Sequence, residues 1–314
     1  MRITILWSSL TSYSVAFFKE LVLKGQIIQL IHQPNESGAS YKAFDLSFCK
    51  VSLEDSDTIK YNLESIINDF HPDCILMSSW GFPHFMRIAK KMRKKGTYVV
   101  STMDHQWYGT IKQYLGVIST RIFLKPSIDT FLVAGDRQAY FARKLGYKDV
   151  LYGLYAADII KFTSDVPILQ REKNFLFIGR LVAAKGIKEL AMAYLSYRKQ
   201  MTKPWGLKVA GSGPLENLLQ RIPGVELLGF VQPAAVPELM REARCLVLPS
   251  RWEPWGVVIH EAAAAGLPII ATYPCGATTM FVRDGVNGYV VPPQERYLTK
   301  AMVRMSATPQ TILD

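Results

Sequence analysis

Short apolar runs rich in Ile, Val and Leu alternate with longer amphipathic segments along most of this sequence. Such runs predict strands that are buried on both faces, and the segments between them predict the helices of parallel βαβ units. The predicted strands are 3–7, 27–32, 74–77, 98–102 and 130–133, then 174–178, 207–210, 225–228, 245–248, 269–272 and 288–291. The predicted helices are 15–24, 63–70, 82–95, 114–124 and 137–144, then 187–201, 215–219, 236–242 and 257–265.

The alternation is interrupted once, at residues 158–173, where periodicity is lost, Pro167 occurs and charges of both signs mix. This segment is typical of a linker, and a chain of 314 residues has room for two domains. We therefore expect an α/β protein with two doubly wound, Rossmann-like domains, residues 1–165 and 174–314. In such sheets the ligand is expected in the cleft that faces the carboxyl ends of the strands.

The composition limits the class of protein to which the chain can belong and the kind of partner that it can bind. With 49% hydrophobic and 20% charged residues, the chain is predicted to be globular and not disordered. The net charge of +11 favours anionic partners, although no motif points to nucleic acid. Four cysteines without C-x-x-C spacing predict reduced thiols and no structural zinc. No transmembrane helix is expected, because the longest charge-free stretch, 262–282, is broken by Pro and Gly.

Two cations follow the first strand of the second half. Arg180 and Lys185 lie in the turn between this strand and a helix predicted to begin near Gly186. Cations beside free helix N–H groups favour a pyrophosphate. The alternative is that both are solvated residues of an ordinary turn.

A second turn, Gly211-Ser-Gly-Pro-Leu-Glu216, follows the next strand. Its glycines would let the backbone approach a ligand. Only two of the three glycines of a dinucleotide-binding G-x-G-x-x-G are present, so a plain strand-to-helix turn explains the segment equally well.

Two carboxylates lie eight residues apart in the segment 248–268. Glu253 is predicted in a loop after a strand, Gly256 permits close approach, and Glu261 falls early in the following helix. Carboxylates accept hydrogen bonds from vicinal hydroxyls, which suits a sugar on one side and a ribose on the other. The alternative is that Glu261 charges the first helical turn and Glu253 is a solvated loop residue.

In this order and spacing, the segments from Asn174 to about Pro293 resemble the donor-binding domain of the retaining, family-four glycosyltransferases of the GT-B fold, also called glycosyl transferases group 1. The similarity is carried by Arg-x4-Lys-Gly, Gly-Ser-Gly-Pro, Leu-Gly-Phe-Val at 228–231, Glu-x7-Glu from Glu253 to Glu261, and Asp-Gly-Val-Asn-Gly at 284–288. The resemblance implies two Rossmann-like domains that face a cleft. It also implies that the chain ends before the crossover helices usual in such enzymes.

The resemblance implies a role for each of these positions. Arg180, Lys185 and Gly186 would bind the donor diphosphate together with the turn at Gly211, and Glu261 would bind the ribose. Glu253 and the backbone of Trp255, Gly256 and Val257 would bind the donor sugar, with Glu226 and Leu228 near the base. The family needs no metal, which fits two cations that stabilise the leaving diphosphate. No cofactor is implied beyond the nucleotide diphosphate sugar itself.

The first half matches this pattern less closely. Where family members usually carry glycines after the first strand, this chain has Ser8 and Ser9, whose hydroxyls would take their place. Asp104 and His105 follow the strand at 98–102, where the family commonly places a polar residue of the catalytic region facing the donor sugar, so the resemblance implies a catalytic role for them. Trp107 lies in a loop suited to an acceptor. The alternative for His105 is a hydrogen-bonded loop histidine.

Two further features have plainer alternatives. Asp55-Ser56-Asp57 matches the D-x-D of metal-dependent glycosyltransferases, but the neighbouring residues predict a helix N-terminus, so no metal is assigned. Helix 82–95 carries six basic residues beside an apolar side, which could touch an anionic membrane, although a solvated helix face is the alternative. The basic residues are Arg87, Lys90, Lys91, Arg93, Lys94 and Lys95.

These observations predict a retaining, metal-independent glycosyltransferase that moves a hexose-type sugar from a nucleotide diphosphate donor to an acceptor hydroxyl. The acceptor would be a glycan, a lipid-linked glycan or a small molecule, and the setting bacterial cell-surface polysaccharide or glycolipid synthesis. The expected location is the cytoplasm, peripheral to the inner face of the membrane. Two alternatives are a nucleotide-binding, non-catalytic partner subunit and a dinucleotide oxidoreductase. The sequence does not identify the sugar, the base, the acceptor or the oligomeric state.

Overall fold

The structure, a computed structural model, describes residues 1–33, 44–53 and 56–307. The chain divides into two compact units, unit 1 (Met1–Ala156) and unit 2 (Ala157–Asp314). Each unit contains one sheet whose described strands all pair in parallel, with helices connecting them. Each unit is therefore an α/β domain of the doubly wound type that the alternating pattern predicts.

Unit 1 has a seven-stranded sheet in the order β3-β2-β1-β4-β5-β6-β7. Its strands are β1 (Arg2–Trp7), β2 (Ile27–His32), β3 (Val51–Leu53), β4 (Cys74–Met77), β5 (Tyr98–Met103), β6 (Thr130–Val133) and β7 (Val150–Tyr152). Its helices are α1 (Ser12–Leu23), α2 (Ser56–Phe70), α3 (Pro83–Lys94), α4 (Ile111–Leu124) and α5 (Asp136–Lys144). Strands β4 and β6 are buried at every position, because helices cover both faces of the sheet.

Unit 2 has a six-stranded sheet in the order β10-β9-β8-β11-β12-β13. Its strands are β8 (Asn174–Ile178), β9 (Gly206–Ala210), β10 (Val225–Gly229), β11 (Cys245–Leu248), β12 (Ile269–Thr272) and β13 (Gly288–Val291). Its helices are α6 (Ile159–Phe162), α7 (Ile187–Gln200), α8 (Asn217–Gln220), α9 (Val236–Glu242), α10 (Val257–Ala264), α11 (Thr278–Phe281) and α12 (Glu295–Ala307). Short 3-10 helices occur at Ile168–Gln170, Ala183–Lys185 and Pro233–Ala235.

The core of unit 2 contains several large aromatic side chains. Phe175 of β8, and Tyr194 and Tyr197 of α7, are fully buried. The Tyr194 hydroxyl donates to the carbonyl oxygens of Trp205 and Gly224, at 2.9 and 3.0 Å, so its polar end is satisfied inside the core. This packing fixes α7, and therefore the turn before it, against the sheet.

The segment 158–173, predicted as a linker, is part of unit 2. It contains α6 and a 3-10 helix, and the buried Arg171 donates to the carbonyl oxygens of Met240 and Ala265 at 3.3 and 3.0 Å. Arg241 donates to the carbonyl oxygen of Lys161 at 2.8 Å. The Arg171 side chain and the Lys161 backbone therefore tie the segment to α9 and to the end of α10.

Candidate functional site

The loops that follow β8 and β11 meet at the carboxyl edge of the unit 2 sheet. These strands are neighbours, yet β9 and β10 come between them in the chain, so the strand order reverses here. The backbone N–H groups of Arg251 and Trp252 both donate to the carbonyl oxygen of Ala184, at 2.8 and 3.1 Å. A reversal of strand order at this edge is where open α/β sheets bind ligands.

Lys185 and Glu253 form an ion pair across these two loops. Both side chains are largely buried, and Ser250 lies in the same loop, with its hydroxyl 3.5 Å from the same carboxylate oxygen. Glu253 is therefore not a solvated loop residue, which was the alternative that the sequence allowed, and its carboxylate is paired with a cation. The pair holds one negative and one positive group side by side at this edge of the sheet.

Glu253 is also fixed by its own backbone. Its carbonyl oxygen accepts from the N–H of Gly276 at 3.2 Å, and the carbonyl oxygen of Trp255 accepts from the N–H of Ala277 at 2.9 Å. The Thr272 hydroxyl at the end of β12 donates to the carbonyl oxygen of Ser250 at 2.5 Å. The loop 249–256 is thus joined to the loop after β12, which preorganises Glu253 and buried Trp255.

The glycines of the two turns serve contacts between backbones. A Cβ on Gly186, whose φ is +70°, would lie 2.0 Å from the carbonyl oxygen of Pro249, and one on Gly211 would lie 1.9 Å from that of Gly179. Any side chain at either position would force the loops apart. The sequence predicts that Gly211 lets the backbone approach a ligand. In the structure, Gly211 lets its turn approach the neighbouring turn at Gly179.

The start of α10 provides backbone donors beside Glu253. Gly256 precedes the helix with φ +93°, and no side chain caps the first turn. The Ile259 N–H donates to the Gly256 carbonyl oxygen at 2.9 Å, so the N–H groups of Val257 and Val258 are those of the first turn that can bind an anionic or hydroxyl oxygen.

Glu261 lies on the second turn of α10 and is half-buried, and the resulting desolvation raises its pKa to about 7. The neighbouring His260 stacks on Phe281 with ring centroids 4.2 Å apart, and burial lowers its pKa. A carboxyl group with a pKa near 7 changes its charge close to neutral pH. Glu261 therefore has the perturbed titration that is common among functional groups.

The remaining predicted donor residues differ in their positions. Arg180 is exposed directly after β8, and Leu228 is half-buried near the carboxyl end of β10. Glu226, however, pairs in register with Lys208 and lines a cavity of about 250 Å³ with Asn174 and Gly206, which begin their strands. Glu226 lies toward the amino edge of the sheet, so the structure does not bring it together with the other donor residues.

In unit 1, the predicted catalytic pair follows β5. His105 Nδ1 lies 2.9 Å from Asp104 Oδ1, and the Tyr155 hydroxyl donates to Asp104 Oδ2 at 3.1 Å. Burial opposes ionisation of Asp104, but the hydrogen bonds from His105 and Tyr155 outweigh it and lower its pKa. The bond to Asp104 raises the pKa of His105, although burial opposes this shift. His105 is exposed and can reach a ligand.

Two residues of this cluster were not predicted from the sequence. Tyr155 holds the Asp104 carboxylate, and Gln138 donates to the Asp104 carbonyl oxygen at 3.0 Å. They lie 51 and 34 residues further along the chain, so no local pattern links them to Asp104.

The predicted acceptor-side residues have structural contacts. The backbone N–H of Ser8 donates to the Ser78 hydroxyl at 3.1 Å, and Ser9 is half-buried. Trp107 packs edge-on against Tyr114 of α4 with centroids 4.8 Å apart, and against Phe141 of α5. Trp107 is half-buried, and these contacts anchor its loop to the two helices.

Helix α3 has the basic face predicted for it, but its apolar side chains belong to the core. Phe85, Ala89 and Met92 are buried against the sheet. Part of the charge is neutralised, because Lys91 pairs with Glu64 at 2.5 Å and Arg93 with Asp129 at 2.7 Å. This helix can offer a membrane only its charges.

Metal and membrane-spanning features can be judged only within the residues that the structure describes. There, no group of three or more His, Cys, Asp or Glu side chains is placed to hold a metal ion. Asp55 and the Asp57 side chain lie outside that part, although the backbone of Asp57 belongs to α2. Among the described helices none is long and apolar enough to cross a bilayer.

Comparison with solved structures identifies the fold class as GT-B. Anabaena HepE, solved in complex with UDP and glucose, matches 100% of this chain and 92% of its own, with a TM-score of 0.74 and 17% identity. Sucrose-phosphate synthase from Thermosynechococcus elongatus matches 99% of this chain and 91% of its own, with a TM-score of 0.72 and 16% identity.

A second comparison concerns the second half of the chain. Residues 172–308 match the family described as glycosyl transferases group 1. The α-D-kanosaminyltransferase of Streptomyces kanamyceticus is 29% identical over 128 residues, which are 38% of this chain and 32% of the relative. The chain matches about a third of the length of such curated relatives.

Proposed function

We propose that this protein transfers a sugar from a nucleotide diphosphate donor to an acceptor hydroxyl, with retention at the anomeric carbon. The observation that carries the proposal is the paired Lys185 and Glu253, held at the strand-order reversal of unit 2 beside the open N-terminus of α10. The match of residues 172–308 to glycosyl transferases group 1 and the GT-B fold support the same function.

The donor would be bound along the carboxyl edge of the unit 2 sheet. Arg180 and Lys185 would hold the diphosphate, since charge-assisted hydrogen bonds from cations are the strong contacts available to phosphate. Glu261 would accept from the ribose hydroxyls. Glu253 and the first N–H groups of α10 would bind the sugar, and half-buried Leu228 would pack near the base.

Retention would follow a front-face route. The acceptor attacks the anomeric carbon from the side on which the diphosphate leaves, and a departing phosphate oxygen takes the acceptor proton. Positive charge on the sugar ring and negative charge on the diphosphate develop together in this transition state. Glu253 would face the positive charge on the sugar ring, and Lys185 would face the negative charge on the diphosphate. Their buried pairing in the free protein keeps both groups oriented before substrate arrives.

Unit 1 would supply the acceptor side. We assign Asp104 and His105 to contact with substrate, with Tyr155 as a positioning residue that orients the Asp104 carboxylate. The half-buried Ser8 and Ser9 could offer hydroxyls, whereas Trp107 is assigned to support of the loop. The net charge of +11 fits an anionic acceptor or a lipid-linked glycan at the inner face of a bacterial membrane.

A donor screen tests this function. Purified protein is incubated with UDP-glucose, UDP-N-acetylglucosamine, ADP-glucose and GDP-mannose, and release of nucleoside diphosphate is measured with and without a chelator. We expect release from at least one donor, unchanged by the chelator and lost in Glu253→Gln. Tight binding without release from any donor, even with added glycan acceptors, would instead indicate a non-catalytic partner subunit. Release restored only by Mn²⁺ or Mg²⁺ would overturn metal independence.

The anomeric outcome is tested on the transferred sugar. Proton NMR of the product distinguishes retained from inverted configuration by the coupling at the anomeric proton. An inverted product would contradict the front-face route while leaving the donor site intact.

A further inference from the structure

Helix α4 carries a row of large apolar side chains that face outward. Six residues, each between 57% and 78% exposed, form what is called here the α4 apolar stripe: Ile111, Tyr114, Leu115, Ile118, Ile122 and Phe123. Ile111, Leu115, Ile118 and Ile122 recur at intervals of four, three and four residues, so they share one side of the helix. Monomeric soluble proteins rarely leave so continuous an apolar surface in water.

The opposite side of α4 is what holds it to unit 1. Leu124 is buried, and Val117 packs against the core of the sheet. The Thr110 hydroxyl caps the first turn by accepting from the N–H of Gln113 at 3.3 Å. The helix is thus anchored mainly by the face opposite the stripe, although Tyr114 of the stripe also packs edge-on against Trp107.

Positive charge flanks the stripe on both sides. With 3.6 residues per turn, Lys112 lies on one side of the row, and Arg121 and Lys125 lie on the other. All three are exposed, and no Asp or Glu occurs in the sequence between Asp104 and Asp129. The carbonyl oxygen of Lys144, at the end of α5, accepts from Arg121 at 2.8 Å. The backbone of a further basic residue, Lys144, therefore lies beside Arg121 at the edge of the stripe.

We propose that α4 lies in the interfacial plane of an anionic phospholipid bilayer, with the stripe inserted between headgroups and the flanking cations on the surface. A bilayer is favoured over a protein partner because it takes apolar and cationic groups together, in the arrangement of an amphipathic interfacial helix. The acidic headgroups supply the charge complementary to Lys112, Arg121 and Lys125. Helix α3, whose apolar side chains are in the core, lacks the part that inserts.

Membrane binding by α4 does not depend on the proposed reaction, because it involves only the surface of unit 1. Binding to vesicles can be measured without donor or acceptor. A glycosyltransferase that does not bind membranes would release nucleoside diphosphate without binding vesicles. A membrane-bound protein with another activity would bind vesicles without releasing nucleoside diphosphate.

The test is sedimentation of the full chain with vesicles of phosphatidylcholine containing 30% phosphatidylglycerol. We expect Leu115→Ser/Ile118→Ser to lower the partition coefficient at least tenfold. The matched control, Leu23→Ser/Ile160→Ser, removes two exposed apolar side chains elsewhere and should bind like the wild type. Lys112→Gln/Lys125→Gln should lower binding severalfold, as should 0.5 M salt, whereas Lys90→Gln/Lys94→Gln on α3 should have less effect.

Circular dichroism of each variant checks that unit 1 is folded, as expected for changes at exposed positions. Failure of the folded wild type to bind these vesicles would overturn the proposal. So would equal binding by the α4 and control variants. A dimer of the wild type that Leu115→Ser/Ile118→Ser dissociates, seen by light scattering without any vesicle binding, would also overturn it and assign the stripe to a second copy of the chain.

Discussion

The Lys185 ammonium group is bonded to the Glu253 carboxylate in the free protein, 68 residues apart in the chain and across two loops. Each of these groups is assigned to a different part of the donor, the diphosphate for Lys185 and the sugar for Glu253. A bound diphosphate would therefore share Lys185 with Glu253. It follows that neutralising Glu253 should free Lys185 for phosphate as well as remove a contact to the sugar.

The ion pair should matter for stability as well as for binding. Replacing Lys185 by Met leaves the buried Glu253 carboxylate without its cation, and removal of one partner of a buried pair costs about 3 kcal/mol of unfolding free energy. In Lys185→Met/Glu253→Gln the unpaired charge is gone, so the double variant should lose less than the sum of the two single changes. Urea unfolding of the four proteins measures this. Strictly additive losses of unfolding free energy in the double variant would show that the ion pair contributes nothing to stability.

Arg180 should act on the diphosphate without contributing to stability. It is exposed, so Arg180→Ala should leave the unfolding midpoint unchanged and weaken nucleoside diphosphate binding by about 1.5–3 kcal/mol, the range of a charge-assisted hydrogen bond. Nucleoside binding should barely change. Lys188→Ala, an exposed cation on the first turn of α7, is the control and should bind normally. Unaltered diphosphate affinity on calorimetry of Arg180→Ala would remove Arg180 from the site.

The raised pKa of Glu261 makes stability depend on pH. Between pH 4.5 and about 7 the folded protein holds a proton on Glu261 that the unfolded chain releases, so the unfolding free energy falls as pH rises. Glu261→Gln should therefore stabilise the protein at pH 8, by about 1–3 kcal/mol, and have little effect near pH 5. The control is Glu20→Gln on the exposed surface of α1. Equal effects at the two pH values would contradict the burial of Glu261.

Asp104 should hold the His105 imidazolium. Asp104→Asn removes the main cause of the raised pKa, so the His105 pKa should fall, and NMR titration of the ring protons measures it. Because the folded-state pKa is raised, the pair's contribution to stability is present below the ordinary pKa of histidine and is lost as pH rises through the folded value. Tyr155→Phe should shift the His105 titration less than Asp104→Asn. An unchanged His105 pKa in Asp104→Asn would contradict the pairing.

The central strands could be predicted from the sequence almost residue by residue. Strands such as β4, β6, β11 and β12 are buried on both faces, and an unbroken apolar run records that burial. The edge strands β3 and β7 have three residues each and left too short a pattern to be recognised. Helix α2 begins at Ser56, seven residues before the predicted start at Leu63, because its first turns are polar.

The site was predictable only where local sequence sets the geometry. Turn and helix signals predicted Lys185 and Glu253 between elements and Glu261 within a helix, and the structure has Lys185 at the end of a 3-10 helix, Glu253 in a loop and Glu261 in α10. The bond between Lys185 and Glu253, and that between Tyr155 and Asp104, join distant segments and depend on how the loops pack. Glu226 is the second residue of β10, so the predicted strand 225–228 already indicated the amino edge of the sheet, whereas its expected position near the base came from the resemblance alone.

Calorimetry of a nucleoside diphosphate on the wild type, Glu253→Gln and Glu261→Gln tests the division of the donor between the two carboxylates, with turnover measured in parallel. Contacts to the sugar can strengthen as charge develops on its ring, whereas ribose contacts stay uniform through the reaction. Glu253→Gln should therefore lose turnover while keeping or raising diphosphate affinity, and Glu261→Gln should lose diphosphate affinity. Equal loss of diphosphate affinity in both variants, or no binding by the wild type, would contradict the proposed donor site.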